Sequence, residues 1–425
     1  MAESELDRYP SFLGLLPPGA VIDDDGELVV AGCRLSELAA AYGTPLYVVD
    51  EGALRVQARA FTQALKSRWP NSRVVFASKA FPCTAAYRLM AEEGLGVDVA
   101  GGGELAMALA GGVSPALIVL HGNAKSTDEL SMALDAGVGT IVIDNFDDID
   151  RLEHMVVSEQ AVLIRIIPGV RPDTHEAVST GQAGSKFGLT TADARVAIAR
   201  LRASDRLRLD GLHMHIGSQV LSTEPFARAV EALCDLGEFD VYDLGGGLGV
   251  RYSYSDDPPS LTEWIDALVG AARGLLPASA QLLIEPGRSM VARSGVTLYS
   301  VLSVKRGEPS FVAVDGGMGD NLEVSLYGQR FEASVVNRVG GGTPVELVGR
   351  HCESGDRLIS GVPLCSPVPG DIVVVAVTGA YCFTMANNYN GALRPAVVFC
   401  REGTAELRVR RETLADLLVR DVLPA

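Results

Sequence analysis

Relative to its size, this sequence is poor in positive charge. Lysines and arginines number 36 against 53 aspartates and glutamates, a formal charge of −17. So acidic a chain is a poor match for nucleic-acid phosphates, whose neutralisation takes Lys and Arg, and for anionic membrane surfaces. No apolar run approaches the roughly 20 residues that cross a bilayer. The opening MAESELDRYP carries neither a basic nor an apolar stretch, so a secretory leader is not expected. The seven cysteines (Cys33, Cys83, Cys234, Cys352, Cys365, Cys382, Cys400) are odd in number and include no CxxC. That excludes a zinc ribbon or a disulfide framework and fits free thiols in a reducing cytoplasm. Nucleotide-loop signatures are missing too. GxxxxGK[ST] is absent, and a GxGxxG starting at Gly245 fails at Val250. Repeats of 20–50 residues and low-complexity tracts are absent as well.

What is present is material for a large core. The chain has 425 residues and is 48% hydrophobic, which excludes global disorder. From residue 70 onward, short β-branched runs alternate with longer amphipathic ones. Eight strands are predicted: Arg73–Ala77, Gly96–Val99, Leu117–Leu120, Thr140–Ile143, Val162–Ile167, Leu209–His215, Asp240–Leu244 and Gln281–Glu285. Helix-like stretches such as Thr84–Glu93, Glu104–Ala110, Thr127–Ala136 and Pro225–Leu236 fall between them, and Glu51–Arg68 precedes the first. Eight strands alternating with helices read as an α/β fold, a TIM-type (β/α)8 barrel. After Arg293 the texture becomes strand, turn, strand, which predicts a mostly β domain. Residues 12–49 share that texture. The expected organisation is an N-terminal segment (1–49) packing with the β domain, a barrel (50–294) and a C-terminal β domain (295–425).

Barrel enzymes place their chemistry at the C-terminal ends of the strands. Polar residues cluster at those positions here: Lys79 after strand one, Asp98 at the end of strand two, His121 and Lys125 after strand three and Asp144 after strand four. Strand six brings His213, His215 and Ser218, strand seven Gly245-Gly246-Gly247, and strand eight Glu285, Gly287 and Arg288. The glycines suit a phosphate cup, because backbone N–H groups can approach an anion closely there. Lys79 lies between an apolar strand and Ala80-Phe81-Pro82, where partial desolvation makes an amine nucleophilic toward aldehydes. Cup and lysine together suggest pyridoxal 5′-phosphate. A flavin or sugar-phosphate barrel would use the cup without the lysine. His213 and His215 alternate onto one face of a strand. Metal ligation is one reading, but no further set at ligand spacing accompanies them, and stacking on a cofactor ring fits better. Glu285 suits a pyridine nitrogen, the ordinary alternative being a salt bridge to Arg288. In the β domain, His351-Cys352-Glu353-Ser354-Gly355-Asp356 crowds imidazole, thiol and acid into six residues and suggests an exposed, working thiol.

FASKAF around Lys79, HMHIGSQ at 213–219, DLGGGLGV at 243–250, EPGR at 285–288, CESGD at 352–356 and GAY at 379–381 resemble the diaminopimelate decarboxylases, in that family's order and across nearly the whole chain. VDGGMGDN (314–321), THEAVSTG…KFGL (174–189) and RRETLADLL (410–418) extend the likeness. The resemblance implies a pyridoxal-phosphate decarboxylase with an alanine-racemase-like barrel and a β domain, working as a homodimer with shared sites. It implies Lys79 as the Schiff-base lysine, His215 stacked on the ring, Glu285 on the ring nitrogen and Asp98 near both. Ser218, Gly247, Gly287 and Tyr381 would hold the phosphate, with Gly245 and Gly246 shaping the cup. Cys352 would protonate the product carbanion and Glu353 hold the distal amine of an amino-acid substrate, both reaching a partner subunit's site. Arg288 and Tyr327 match positions that hold the distal carboxylate.

One position departs. The family's DNxRxxLYG segment reads Asp320-Asn321-Leu322-Glu323-Val324-Ser325-Leu326-Tyr327-Gly328 here, so Glu323 stands in place of an arginine that grips the distal carboxylate. The exchange alters the charge by two units. If Glu323 faces the pocket, a substrate with a cationic or neutral distal end, or a carrier-linked one, suits it better than diaminopimelate. If it points aside, Arg288 carries the contact. A racemase, a non-catalytic carrier of the cofactor and a sugar-phosphate barrel enzyme are the remoter alternatives.

Overall fold

The computed structural model describes residues 10–170, 181–182 and 184–422, with Pro10 and Ser11 as backbone only. Residues 174–180 of the THEAVSTG motif lie outside this set. The chain divides into two compact units. One comprises Arg55–Val250 and Asp257–Met290. The other comprises Met1–Leu54, Arg251–Asp256 and Val291–Ala425.

The first unit is a closed, all-parallel barrel of eight strands in sequence order. They are Ser72–Ala77, Gly96–Val99, Ile118–Leu120, Thr140–Ile143, Gln160–Ile166, Leu207–Met214, Val241–Asp243 and Gln281–Ile284. The strands carry near-continuous apolar runs because helices cover the outer face while side chains fill the inner one. Val75, Val119, Val142 and Leu163 form a buried cluster contributed by strands one, three, four and five, with Val241 packed against it. Helices start where the sequence supplies caps. Ser126 and Glu129 form a capping box for Thr127–Ala136, which ends on a left-handed Gly137. Strand three begins one residue later than predicted because Pro115–Leu117 forms a 3-10 turn. Strand six ends at Met214, so His215 stands just beyond it rather than on it.

In the second unit, the strand Leu46–Asp50 lies between Gly295–Lys305 (antiparallel) and Ala396–Arg401 (parallel) in a nine-stranded sheet. The N-terminal segment thereby completes the C-terminal β domain, as its texture implied. All five residues of that strand are buried, which explains its unbroken apolar run. Ala333–Val335 and Arg357–Leu364 are among the strands that went unread in the sequence. Gly361 and Pro363 sit inside the latter, and both are residues that argue against a strand. Among the described residues, no helix is long and apolar enough to cross a membrane.

Candidate active site

The C-terminal ends of the barrel strands converge on Glu285, which is 6% exposed. Its two oxygens are held separately. His121 Nε2 lies 2.7 Å from Oε1, and His213 Nε2 lies 3.1 Å from Oε2. The two imidazoles meet edge to face with centroids 4.7 Å apart. Burial would raise the Glu285 pKa, but both imidazoles oppose it and hold the carboxyl well below its ordinary range. Burial also drives His213 down to about 4, against the pull of Glu285. His213 is therefore a neutral donor and Glu285 a true carboxylate. Arg288 is not its partner, contrary to the salt bridge weighed from sequence. Arg288 Nε donates instead to Ser218 Oγ at 3.0 Å.

Two further acids ring this carboxylate. Asp243 is pushed well above the carboxylate range by burial and by the Glu285 charge, and its Oδ1 accepts from Gly245 N at 2.9 Å. Asp98 is raised to about 7 by the same two causes, and its Oδ1 accepts from Ser78 N at 3.0 Å. That bond fixes the 3-10 turn Ser78–Ala80, which carries Lys79. Ser78 and Ala80 are buried in this turn, and the Lys79 charge acts on both Asp98 and His215. The flanking apolar residues predicted a partly desolvated amine; Lys79 itself is exposed.

His215 Nδ1 accepts from Gly246 N at 3.2 Å, tying the imidazole to the glycine run. Its pKa is well below the ordinary value because of burial, with the charges of Lys79 and Arg165 adding to the shift, so it offers a flat neutral ring. The run itself admits no side chain. A Cβ at Gly246 would stand 2.0 Å from the Glu285 carbonyl oxygen, and one at Gly247 2.5 Å from that of Gly217. Gly245 and Gly247 also hold positive φ. Gln219 braces the loops after strands six and seven by bonding both the carbonyl (2.7 Å) and the amide (3.0 Å) of Val250.

This is the donor set that pyridoxal phosphate needs: an amine on strand one, a buried ionised carboxylate to pair with a protonated ring nitrogen, a neutral imidazole plane and a glycine cradle for the phosphate. His121, His213, Asp243 and Glu285 also have the ligand types of a metal site, with their atoms within 4.8 Å of one another. Both Nε2 atoms, however, already bond the Glu285 oxygens. Lys125, noted at the same end, is committed elsewhere. Its Nζ donates to Asp148 Oδ2 and to Gly122 O, both at 2.6 Å.

The remaining predicted residues belong to the second unit. Cys352 and Glu353 are exposed on a loop fixed from below. Asp356 accepts from the amides of Met318 (2.6 Å) and His351 (2.8 Å), and His351 Nε2 accepts from Gly319 N at 3.1 Å. The CESGD and VDGGMGDN motifs are thus one assembly. The helix Leu322–Tyr327 is tied to the same loop by Ser325 Oγ, 3.3 Å from Gly355 O. In its first turn Glu323 is buried at 1% exposure and accepts from Tyr252 Oη at 3.3 Å. Tyr327 is half-buried, as is Tyr381, which holds a positive φ of 63°.

His121, His213 and Asp243 stand in the barrel site, and Arg165 beside it in register with His213, without having been given these places from sequence. The first three sit at strand ends, a signal that was available. Arg165, in a strand otherwise apolar from Ala161 to Ile166, was the one charge in that run.

The family described as pyridoxal-dependent decarboxylase, pyridoxal binding domain, matches residues 52–292. The diaminopimelate decarboxylase of Actinosynnema pretiosum subsp. auranticum is 46% identical over 96% of this chain and 95% of that one. That of Bacillus subtilis is 42% identical over 93% and 95%. The crystal structure of the M. jannaschii diaminopimelate decarboxylase in co-complex with L-lysine superposes with a TM-score of 0.90, at 30% identity, covering 96% of this chain and 98% of that one.

Proposed function

The chain belongs to the diaminopimelate decarboxylase family of pyridoxal-dependent decarboxylases, and we propose that it converts meso-diaminopimelate to L-lysine and carbon dioxide. It is a carboxy-lyase that uses pyridoxal phosphate. The observation that carries the chemistry is the clamp on Glu285: a buried carboxylate kept ionised by two imidazoles. The substrate reading rests on the full-length relatives named for that activity.

Bound in the barrel, pyridoxal phosphate supplies a conjugated ring that accepts the electron pair left when a Cα–carboxylate bond breaks. The protein's own residues hold and orient. Lys79 is the nucleophilic amine. Glu285 holds a proton at the ring nitrogen, and His215 presents its flat face to the ring. Ser218, the cradle Gly245–Gly247, Gly287, Arg288 and Tyr381 take the phosphate. Cys352 delivers a proton to Cα, and Glu353 orients the distal amine. Arg288 and Tyr327 receive the distal carboxylate. The assembly that uses these groups is a homodimer in which Cys352 and Glu353 complete the partner copy's site. Their exposure on a fixed loop supports this. None of the seven cysteines, all among the described residues, is in a disulfide, which supports a cytoplasmic location. The domain division 1–49, 50–294 and 295–425 is part of the same proposal.

A second reading has one observation behind it. Glu323 is buried rather than turned to solvent, with Tyr252 Oη donating to its carboxyl. It favours a substrate whose distal end is cationic or neutral. Release of CO2 by the cofactor-loaded protein from meso-diaminopimelate, D- and L-lysine, ornithine, arginine and glutamate decides between the two. Release from diaminopimelate supports the first. Release only from another amino acid replaces it with the second.

A further inference from the structure

Arg165 is a buried cation with no described acceptor. It lies on barrel strand five, Gln160–Ile166, every residue of which is buried, and is itself 8% exposed. Side chains alternate along a strand. Leu163 belongs to the buried cluster with Val75, Val119 and Val142, so Arg165, two residues on, faces the same side one layer nearer the C-terminal end. In register it is paired with His213, which bonds Glu285. Its guanidinium carbon lies 4.4 Å from the centroid of the Phe187 ring, a cation–π contact that orients the plane without satisfying any N–H. The backbone beside it is fixed, with Leu189 N donating to Arg165 O at 2.9 Å. Among the described residues, no carboxylate stands within ion-pair distance of the guanidinium, and no oxygen accepts a hydrogen bond from it.

Guanidinium offers five N–H donors, and leaving charged donors buried without acceptors is strongly unfavourable. Such a group is complementary to an anionic oxygen that arrives with a ligand. Pyridoxal phosphate and an amino-acid substrate bring three kinds: the phosphate, the ring hydroxyl and the substrate carboxylates. The phosphate has the glycine cradle after strands seven and eight. A cation on the carboxylate that leaves would stabilise it more before the reaction than in the transition state, where its charge is dispersing, and so would slow the step. In the function proposed above the distal carboxylate has Arg288 and Tyr327, which leaves the ring hydroxyl. It is acidic, lies one ring carbon from the aldehyde that Lys79 takes, and shares the ring with the nitrogen that Glu285 takes. We propose that Arg165 is a cofactor-positioning residue that donates to the ring-hydroxyl oxygen of bound pyridoxal phosphate, with Phe187 holding its guanidinium in plane.

The inference rests on pyridoxal phosphate occupying this barrel, and the test separates the two. Dissociation constants of the apoprotein are measured for pyridoxal 5′-phosphate and for 3-deoxypyridoxal 5′-phosphate, which lacks only that oxygen. Wild type, Arg165→Met and Arg165→Lys are compared. Wild type is expected to prefer the natural cofactor by roughly tenfold or more, the scale of one charge-assisted hydrogen bond. Arg165→Met is expected to lose that preference while binding the deoxy analogue about as wild type does, and Arg165→Lys to recover part of it. Equal weakening of both ligands in Arg165→Met overturns the proposal in favour of a structural role. An intact preference with a raised KM for the amino acid overturns it in favour of a substrate carboxylate. Should Arg165→Met not fold, the lysine variant decides alone: an undiminished wild-type preference in it refutes the guanidinium contact, and a reduced one supports it. Failure of wild type to bind either ligand would instead overturn the cofactor reading itself.

Discussion

His213 Nε2 donates to Glu285 Oε2 across 3.1 Å, from barrel strand six to the end of strand eight. This bond sets the charge at the centre of the site. Burial takes His213 from 6.5 to about 4, so between those values the unfolded chain binds a proton that the folded chain does not. Stability must therefore rise with pH through that window and fall as the pH drops through it. Glu285, with its depressed pKa, contributes in the same direction below its ordinary range of about 4.3. For His213 the slope is at most about 1.4 kcal/mol per pH unit. Urea midpoints at pH 5 and pH 7 are expected to differ less in His213→Gln, which keeps a donor but no titration, than in wild type. Equal differences would refute the assignment.

Asp98 positions the Lys79 turn through Ser78 N. Asp98→Ala leaves a buried amide unsatisfied and is expected to cost about 1–3 kcal/mol. Asp98→Asn, which retains the acceptor oxygen, is expected to cost less. Thermal unfolding of the two variants checks the order, and a reversed order would show that the carboxylate's charge, not its hydrogen bond, is what matters.

The glycine cradle is tested by one alanine. Gly246→Ala forces a Cβ to 2.0 Å from the Glu285 carbonyl oxygen. It is expected to destabilise the fold by roughly 1–3 kcal/mol and to abolish cofactor retention. Gly103→Ala, in a helix with nothing within 4 Å of the new atom, is expected to be neutral or stabilising by about 0.5–1 kcal/mol. Both are read from denaturation curves and the visible absorbance of bound cofactor.

Lys79 and Cys352 separate by spectrum. Both are exposed, so alanine at either is expected to change stability by no more than about 0.5 kcal/mol. Lys79→Ala is expected to lose the visible band of bound pyridoxal phosphate and all turnover. Cys352→Ala is expected to keep the band and lose most turnover. If sites are shared between copies, mixing the two inactive variants under exchanging conditions restores activity that neither has alone. No recovery, with exchange demonstrated, would sink the shared-site reading.

Glu323 provides the test of the substrate reading. Glu323→Arg is expected to raise kcat/KM for meso-diaminopimelate by tenfold or more, the scale of one charge-assisted contact, roughly 1.5–3 kcal/mol. Glu323→Gln, which keeps the volume and can still meet Tyr252, is expected to give a smaller rise. Unchanged kinetics in both folded variants would mean that this carboxylate does not meet the substrate.

Most of the barrel was legible in the chain because a strand covered on both faces leaves an unbroken apolar run, and because chemistry at strand ends breaks that run with polar residues at regular intervals. Lys79, Asp98, the Gly245–Gly247 cradle and Glu285 were readable in this way. Tertiary structure alone decided their partners. Closure of the sheet brings strand three and strand six to strand eight, and only then do His121 and His213 meet Glu285, 164 and 72 residues away in sequence. It also left Lys79 exposed in a 3-10 turn whose other two residues are buried. Arg165 drew no reading from the sequence; the fold shows it buried, in register with His213 and without an acceptor among the described residues. Period-two patterning gives a side chain's face; what stands opposite depends on which strands the closed barrel makes neighbours.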